Sequence, residues 1–252
     1  MFKFNNGNGA IICDKCRTVI KSGVDPRKYK EESTGIDLCE NCHLVEVDNF
    51  KLIGNLLEFE NRDEFYFLQV IQRKKDGNVT QVGNNGYRCI KTYYIYSKEQ
   101  LYNKMDKIKE LCFSNNARAY ILLNRRNAKD IALGCIQHYA QLVSEGNADQ
   151  GYRVYDSVCG KLRDKCYKPL WILDVDVKDE EYVNAVKHWA MKSRGCEEYK
   201  RIFATIPTVN GYHVITRGFD VKQFSEYCRE DGIEAIDIQK DNPTLLYYVK
   251  PE

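Results

Sequence analysis

Residues 170–176 read Leu-Trp-Ile-Leu-Asp-Val-Asp, a short apolar run that ends in two acidic residues. Its length and apolar character, directly after Pro169, predict a central strand of a sheet. Alternate residues of a strand point to the same face, so Asp174 and Asp176 are expected to share one face. Two carboxylates held there can bind a hard cation such as Mg²⁺ or Mn²⁺. Taken alone, solvated aspartates at a strand end explain the same pair more simply.

The elements around this strand predict an α+β fold. Apolar residues at helical spacing predict helices over 98–114 and 179–192. Two hairpins are expected late in the chain, and hairpins favour α+β over a doubly wound parallel sheet. The hairpin strands are 202–206 with 212–216, around Asn210-Gly211, and 235–238 with 245–249, around Asp241-Asn242-Pro243.

The segments upstream of the acidic strand are less regular. Residues 47–96 are expected to form strands, the first of them Leu-Leu-Glu-Phe-Glu at 56–60. Residues 147–168 are polar and predict a long irregular connection.

Two CxxC motifs mark the beginning of the chain. Cys13 and Cys16 form the first, and Cys39 and Cys42 form the second. Four thiolates at this spacing match a closed, structural zinc site, which leaves no position for a substrate. Two disulfides or four thiols are the alternative. The total of 11 cysteines is odd, which argues against a complete disulfide framework and favours a reducing compartment.

The two motifs also predict the domain organisation. Ile11 and Ile12 precede the first pair, and Ile36 and Leu38 precede the second, as short strands that lead into a metal site would. We therefore expect a zinc ribbon followed by one larger α+β domain. The expected bounds are 1–46 and 47–252.

Composition limits the classes of function. The chain has 252 residues, of which 43% are hydrophobic, enough for one sizeable core and a small module. The net charge of +2 gives no overall basic field, so a nucleic-acid surface must be local. No signal peptide and no membrane-length apolar stretch are evident, so a soluble, cytoplasmic protein without a membrane partner is expected.

Two further motifs follow the acidic strand. In Asn210-Gly211-Tyr212-His213, the glycine permits close backbone approach to a ligand, and His213 could donate to a phosphate. A hydrogen-bonded histidine on a half-buried strand is the alternative. Asp237 lies between two isoleucines, where an aspartate is more often a strand-end residue than a metal ligand, but its position after the other two motifs raises its weight.

The order of WILDVD at 171–176, GYH at 211–213 and ID at 236–237 resembles that of the archaeo-eukaryotic primase superfamily. The resemblance implies a core whose sheet is related to the RNA-recognition fold. It also implies that Asp174, Asp176 and Asp237 are catalytic residues that hold Mg²⁺ or Mn²⁺. His213 would then contact the triphosphate of the incoming nucleotide.

The resemblance implies a function as well. It predicts template-dependent nucleotidyl transfer, as in a DNA primase or primase-polymerase, with two-metal catalysis. The implied partners are a single-stranded DNA or RNA template, nucleoside triphosphates, and a helicase or other replication protein supplied in trans. A viral source, and hence the host cytoplasm, fits the combination with a zinc ribbon.

The basic residues leave two other functions open. Arg125 and Arg126, between a predicted strand and a helix start, could bind a nucleotide phosphate, although a solvated loop is the simpler interpretation. The family usually has a basic residue after its third motif; this chain offers Lys240 and Lys250 but no arginine. A non-catalytic nucleic-acid-binding protein and a metal-dependent nuclease therefore remain as alternatives.

Overall fold

The chain has an α+β fold built from antiparallel sheets, as the sequence predicts. The structure is a computed structural model, and it describes residues 2–5, 8–12, 19–24, 44–76, 86–164, 168–195 and 202–251. The chain divides into two compact units, one of residues 1–46 with 249–252 and one of residues 47–248. No helix in the described ranges is long and apolar enough to cross a membrane.

The described ranges contain thirteen strands and seven α-helices. The strands are β1 (Phe2–Asn5), β2 (Asn8–Ile12), β3 (Val19–Val24), β4 (Leu44–Asp48), β5 (Glu64–Arg73), β6 (Tyr87–Ile95), β7 (Arg118–Leu122), β8 (Arg126–Asn127), β9 (Leu170–Val175), β10 (Ile202–Pro207), β11 (Tyr212–Arg217), β12 (Asp237–Gln239) and β13 (Pro243–Pro251). The helices are α1 (Phe50–Leu56), α2 (Lys98–Asn103), α3 (Met105–Asn115), α4 (Ala128–Ser144), α5 (Val154–Lys161), α6 (Glu180–Lys192) and α7 (Val221–Glu230).

The smallest sheet lies in the N-terminal unit and has the antiparallel order β1-β2-β3. Strand β2 ends at Ile12, directly before the first CxxC motif. The four cysteines of the two motifs, Cys13, Cys16, Cys39 and Cys42, lie outside the described residues, so the zinc site stays a prediction.

The largest sheet has the order β4-β13-β7-β5-β6, with β8 pairing with β5. The inner strand β5, which lies between β7 and β6, is buried along most of its length, as an apolar run with strands on both sides should be. The prediction of a strand over 56–60 is wrong, because α1 ends at Leu56 and the chain then continues without regular structure. Side chains hold this segment instead: Phe59 packs edge-on against Tyr66, whose hydroxyl donates to the carbonyl of Glu58.

The irregular connection expected over 147–168 is also partly wrong. A 3₁₀ turn at Ala148–Arg153 leads into α5, which buries Val154, Val158 and Cys159. Val154 and Val158 are four residues apart, so they share a helix face despite the polar residues around them. Gly134 of α4 lets the helices approach, because a Cβ there would lie 2.9 Å from Val158 Cγ1.

The four-stranded sheet carries the acidic strand and has the order β10-β11-β9-β12. Helices α6 and α7 cover one of its faces, where Leu173 and Val175 of β9 pack against Val183, Val186 and Phe224. The predicted strand at 170–173, the helix over 179–192 and the hairpin of β10 and β11 are all confirmed.

The prediction of a second hairpin is wrong, because its two strands, β12 and β13, belong to different sheets. Strand β12 pairs with β9, whereas β13 pairs with β7 of the large sheet. Asp241 lies in the connection between them. It accepts hydrogen bonds from Arg126 (3.1 and 3.3 Å) and from Asn124 Nδ2 (3.0 Å). These contacts direct the chain from one sheet to the other.

Candidate active site

Strand β9 lies between β11 and β12, and three motif residues align across these strands. In the antiparallel register, Asp174 is directly opposite His213 on one side and Asp237 on the other. Directly opposed residues of neighbouring strands project from the same face of a sheet. Residues that are distant in the sequence therefore form one cross-strand row, Asp237–Asp174–His213, here called the acidic row.

The acidic row lies on the face opposite α6 and α7. Leu173 and Val175, which flank Asp174 along β9, point into the core against these helices. Alternation along the strand sends Asp174 to the other side. Its side chain is 25% exposed and Asp237 is exposed, so solvent reaches both carboxylates.

His213 connects the acidic row to the large sheet. Its Nε2 lies 3.3 Å from Asp174 Oδ1, and its Nδ1 lies 2.9 Å from the hydroxyl of Thr244 on β13. Both ring nitrogens therefore have protein partners, and the side chain is buried. This is the arrangement of a hydrogen-bonded strand histidine, and a contact with a triphosphate would require one of the two partners to be released.

Gln239 joins the two carboxylates of the acidic row. Its Nε2 donates to Asp237 Oδ2 at 2.7 Å and to Asp174 Oδ2 at 3.3 Å. Gln239 belongs to none of the three sequence motifs. The signal was nevertheless present, because Gln239 is two residues after Asp237 and strand alternation places both on one face.

Asp176 follows the end of β9 and is exposed. The chain beside it is in close contact with Gly211, where an added Cβ would lie 1.9 Å from the carbonyl oxygen of Val175 and 2.7 Å from the nitrogen of Val177. The close approach expected at this glycine therefore involves the protein backbone. Gly211 lets the β10–β11 loop lie against the segment that carries Asp176.

The oxygen atoms of the acidic row suit a hard divalent cation. One oxygen of Asp174 and one of Asp237 converge on a single nitrogen atom of Gln239, so two carboxylates can face one ion. No set of three or more His, Cys, Asp or Glu side chains in the described ranges is arranged to hold a metal. The acidic row therefore offers a divalent cation two carboxylates that already converge. Asp176 lies nearby in the chain and could supply a further oxygen.

Arg125 is the centre of a buried ion-pair network. Its guanidinium lies 3.1 Å from Glu60, 3.1 Å from Glu64 and 3.5 Å from Asp164. Burial by itself raises the pKa of the Glu64 carboxyl. Hydrogen bonds from Glu60 and Asn61, together with the charge of Arg125, outweigh burial and hold this pKa below its usual value. A role for Arg125 in phosphate binding would have to disturb this network.

Arg126 has intramolecular partners as well. The side chain is 0% exposed, and its Nε donates to the carbonyl of Cys159 at 2.7 Å. Its terminal nitrogens contact Asn124 and Asp241. The interpretation of residues 124–127 as a solvated loop is therefore wrong, and the side chain of Asn127 caps α4.

Lys240 is exposed and lies on the other side of the four-stranded sheet. Its Nζ is 4.9 Å from the centre of the Trp171 ring, which packs against the core under α6 and α7. Alternation along β9 places Trp171 and Asp174 on opposite faces. The structure therefore does not bring Lys240 into the acidic row.

The remaining cysteines in the described ranges are free thiols, and most of them are buried. These are Cys89, Cys112, Cys135, Cys159 and Cys228, whereas Cys166 and Cys196 lie outside the described residues. Burial raises the pKa of Cys112 to about 12. Such a thiol stays protonated and packs as a small apolar group.

Comparisons with protein-family models, with curated proteins and with solved structures give no match to the chain. Function must therefore be argued from the acidic row and its surroundings.

Proposed function

We propose that the chain is a template-dependent nucleotidyltransferase of the primase type. The acidic row is the observation that carries this proposal, because three separate sequence motifs meet on adjacent strands in one register. The four-stranded antiparallel sheet, with helices on one face and the row on the other, is compatible with a primase-like core.

In this proposal Asp174 and Asp237 would share one divalent cation of the two-metal reaction, and the exposed Asp176 would add a third carboxylate. With Mg²⁺ or Mn²⁺ bound, these carboxylates would hold the charge that stabilises the attacking 3′-hydroxyl and the departing pyrophosphate. His213 contacts Asp174 Oδ1, and this contact leaves Oδ2 as the oxygen that accepts from Gln239 beside Asp237. The histidine thereby orients the carboxylate, in addition to any contact with the nucleotide.

The partners follow from the same proposal. They are a single-stranded DNA or RNA template, nucleoside triphosphates, and a helicase or other replication protein supplied in trans. The cysteines Cys13, Cys16, Cys39 and Cys42 would hold a structural zinc ion in a module that assists template binding. A viral source and the host cytoplasm belong to the proposal in the same way.

A second function is favoured by the basic residues. Arg125 and Arg126 are buried among intramolecular partners, and Lys240 lies away from the acidic row. Of the residues predicted to contact a phosphate, only His213 lies in the row. This arrangement favours a protein that keeps a primase-like fold and binds nucleic acid without polymerisation.

Primer synthesis separates these functions. Purified protein is incubated with single-stranded DNA or RNA, ribo- or deoxynucleoside triphosphates, and Mg²⁺ or Mn²⁺. We expect extension products from the wild type and from Asp149→Asn, an exposed control outside the sheet, and none from Asp174→Asn. Template binding without any product in all these conditions would favour the binding protein, and degradation of the template would favour a nuclease. Products that survive Asp174→Asn would refute the assigned site.

A further inference from the structure

Gln239 occupies the position that a cation bridging Asp174 and Asp237 would take. An amide group has two N–H donors, and Nε2 of Gln239 directs them to Oδ2 of Asp237 (2.7 Å) and to Oδ2 of Asp174 (3.3 Å). The other oxygen of Asp174 faces His213 Nε2 at 3.3 Å. The oxygens that could share an ion are therefore the two that accept from Gln239.

The amide has a physical reason to be there. Two carboxylates directly opposite each other on neighbouring strands repel, and each prefers a nearby positive charge or donor. Hydrogen bonds to ionised groups are stronger than those between neutral groups. An uncharged amide nevertheless balances none of the negative charge, so a divalent cation at the same point would be more favourable.

We propose that Gln239 is an internal competitor of the divalent cation, bridging the carboxylates until metal displaces its amide. This inference rests on the proposed function, because that function places the cation between Asp174 and Asp237. Gln239 is then a residue that sets the affinity of the site. A cation must replace two hydrogen bonds before it can bridge the carboxylates.

The position of Gln239 allows this exchange. It is the last residue of β12, a three-residue strand at the edge of its sheet, and its side chain is half-buried. An unbranched side chain at the end of an edge strand can adopt another rotamer without disturbing the ladder. Removing its amide should therefore change metal binding more than it changes folding.

The test is Mn²⁺ binding measured by isothermal titration calorimetry on the full chain. Gln239→Ala should bind Mn²⁺ about tenfold more tightly than the wild type, which corresponds to about 1.4 kcal/mol. Gln137→Ala, on the exposed side of α4, is the matched control and should leave the affinity unchanged. Equal or weaker binding by Gln239→Ala would overturn the inference.

Gln239→Glu provides an independent measurement. A third carboxylate should increase Mn²⁺ affinity further, and without metal it should lower the melting temperature because three like charges then lie together. Addition of Mn²⁺ should restore that temperature. A Gln239→Glu melting temperature that does not respond to Mn²⁺ would contradict the proposed position of the ion.

Asp174→Asn separates the failure of this inference from the failure of the proposed function. If Mn²⁺ binding depends on Asp174 but not on Gln239, only the competition is refuted. If neither Asp174→Asn nor Gln239→Ala changes the binding of Mn²⁺, the cation does not occupy the acidic row, and the metal site of the proposed function fails together with the inference.

Discussion

Gly211→Ala is expected to be among the most damaging single substitutions near the acidic row. A methyl group at this position would lie 1.9 Å from the carbonyl oxygen of Val175 and 2.7 Å from the nitrogen of Val177. Contacts below 3.0 Å are essentially never seen for a real Cβ. The backbone must therefore move for alanine to fit.

The cost follows from what would have to move. Extra methyl groups in well-packed regions typically cost about 1–3 kcal/mol, and more where the surroundings cannot yield. Here the obstructing atoms belong to the backbone at the end of β9, so no side-chain rotation relieves the overlap. We expect a loss of about 3 kcal/mol or more in the free energy of unfolding.

Urea denaturation followed by circular dichroism measures this loss. Gly160→Ala is the matched control, because Gly160 is an exposed residue of α5 and an added Cβ would meet nothing within 4 Å. Alanine there should stabilise the protein by about 0.5–1 kcal/mol through its higher helix propensity. If Gly211→Ala unfolds at the wild-type urea concentration, the close approach between the β10–β11 loop and β9 is refuted.

Three further predictions concern the buried network, the histidine and the cysteines. Glu64→Gln should cost about 2–3 kcal/mol at pH 7 in urea unfolding, because Glu64 is a buried, ion-paired carboxylate. Because folding lowers the pKa of Glu64, the stabilisation by its carboxylate is complete above pH 4.5, the pKa of an unperturbed glutamate, and is lost as the pH falls further. If the difference in free energy of unfolding between Glu64→Gln and wild type were the same at pH 3 as at pH 7, this assignment would be contradicted. Thr244→Val should cost about 1–3 kcal/mol in urea unfolding, because it removes the hydroxyl that contacts the buried His213 Nδ1; wild-type stability in this variant would argue against the contact. The purified protein should contain about one zinc ion per chain by mass spectrometry, and Cys13→Ser with Cys39→Ser should release it; zinc retained by that double variant would exclude these ligands.

Local patterns in the sequence predict the elements that depend on local interactions. Helix α7 spans Val221–Glu230, and Asp220 caps it by accepting from the backbone of Lys222 and Gln223. Helix α6 begins after Asp179, which caps it in the same way. Periodicity and capping residues are both present within such short segments, so no tertiary contact is needed to recognise them.

Non-local contacts decide what the sequence does not predict. Two apolar runs around a turn normally form a hairpin, but the buried Arg126 holds Asp241 and directs β13 into the large sheet. Arg125 likewise resembles a solvated loop residue, because its partners Glu64 and Asp164 are distant in the sequence. Ion pairs of this kind become apparent only once the strands are in place.

The acidic row was partly predictable. Strand alternation places Asp174 on one defined face, and the order of the motifs indicates that His213 and Asp237 belong with it. The register that makes them direct neighbours, and the amide of Gln239 between the carboxylates, depend on the pairing of three strands. That pairing is a tertiary property, and no local pattern encodes it.

Anomalous diffraction from crystals soaked with Mn²⁺ and a nucleoside triphosphate tests the proposed site most directly. The account predicts an Mn²⁺ peak about 2 Å from the carboxylate oxygens of Asp174 and Asp237, with the triphosphate beside it and the amide of Gln239 turned away. A nucleotide and its Mn²⁺ bound elsewhere, with Gln239 still bridging the two carboxylates, would contradict it.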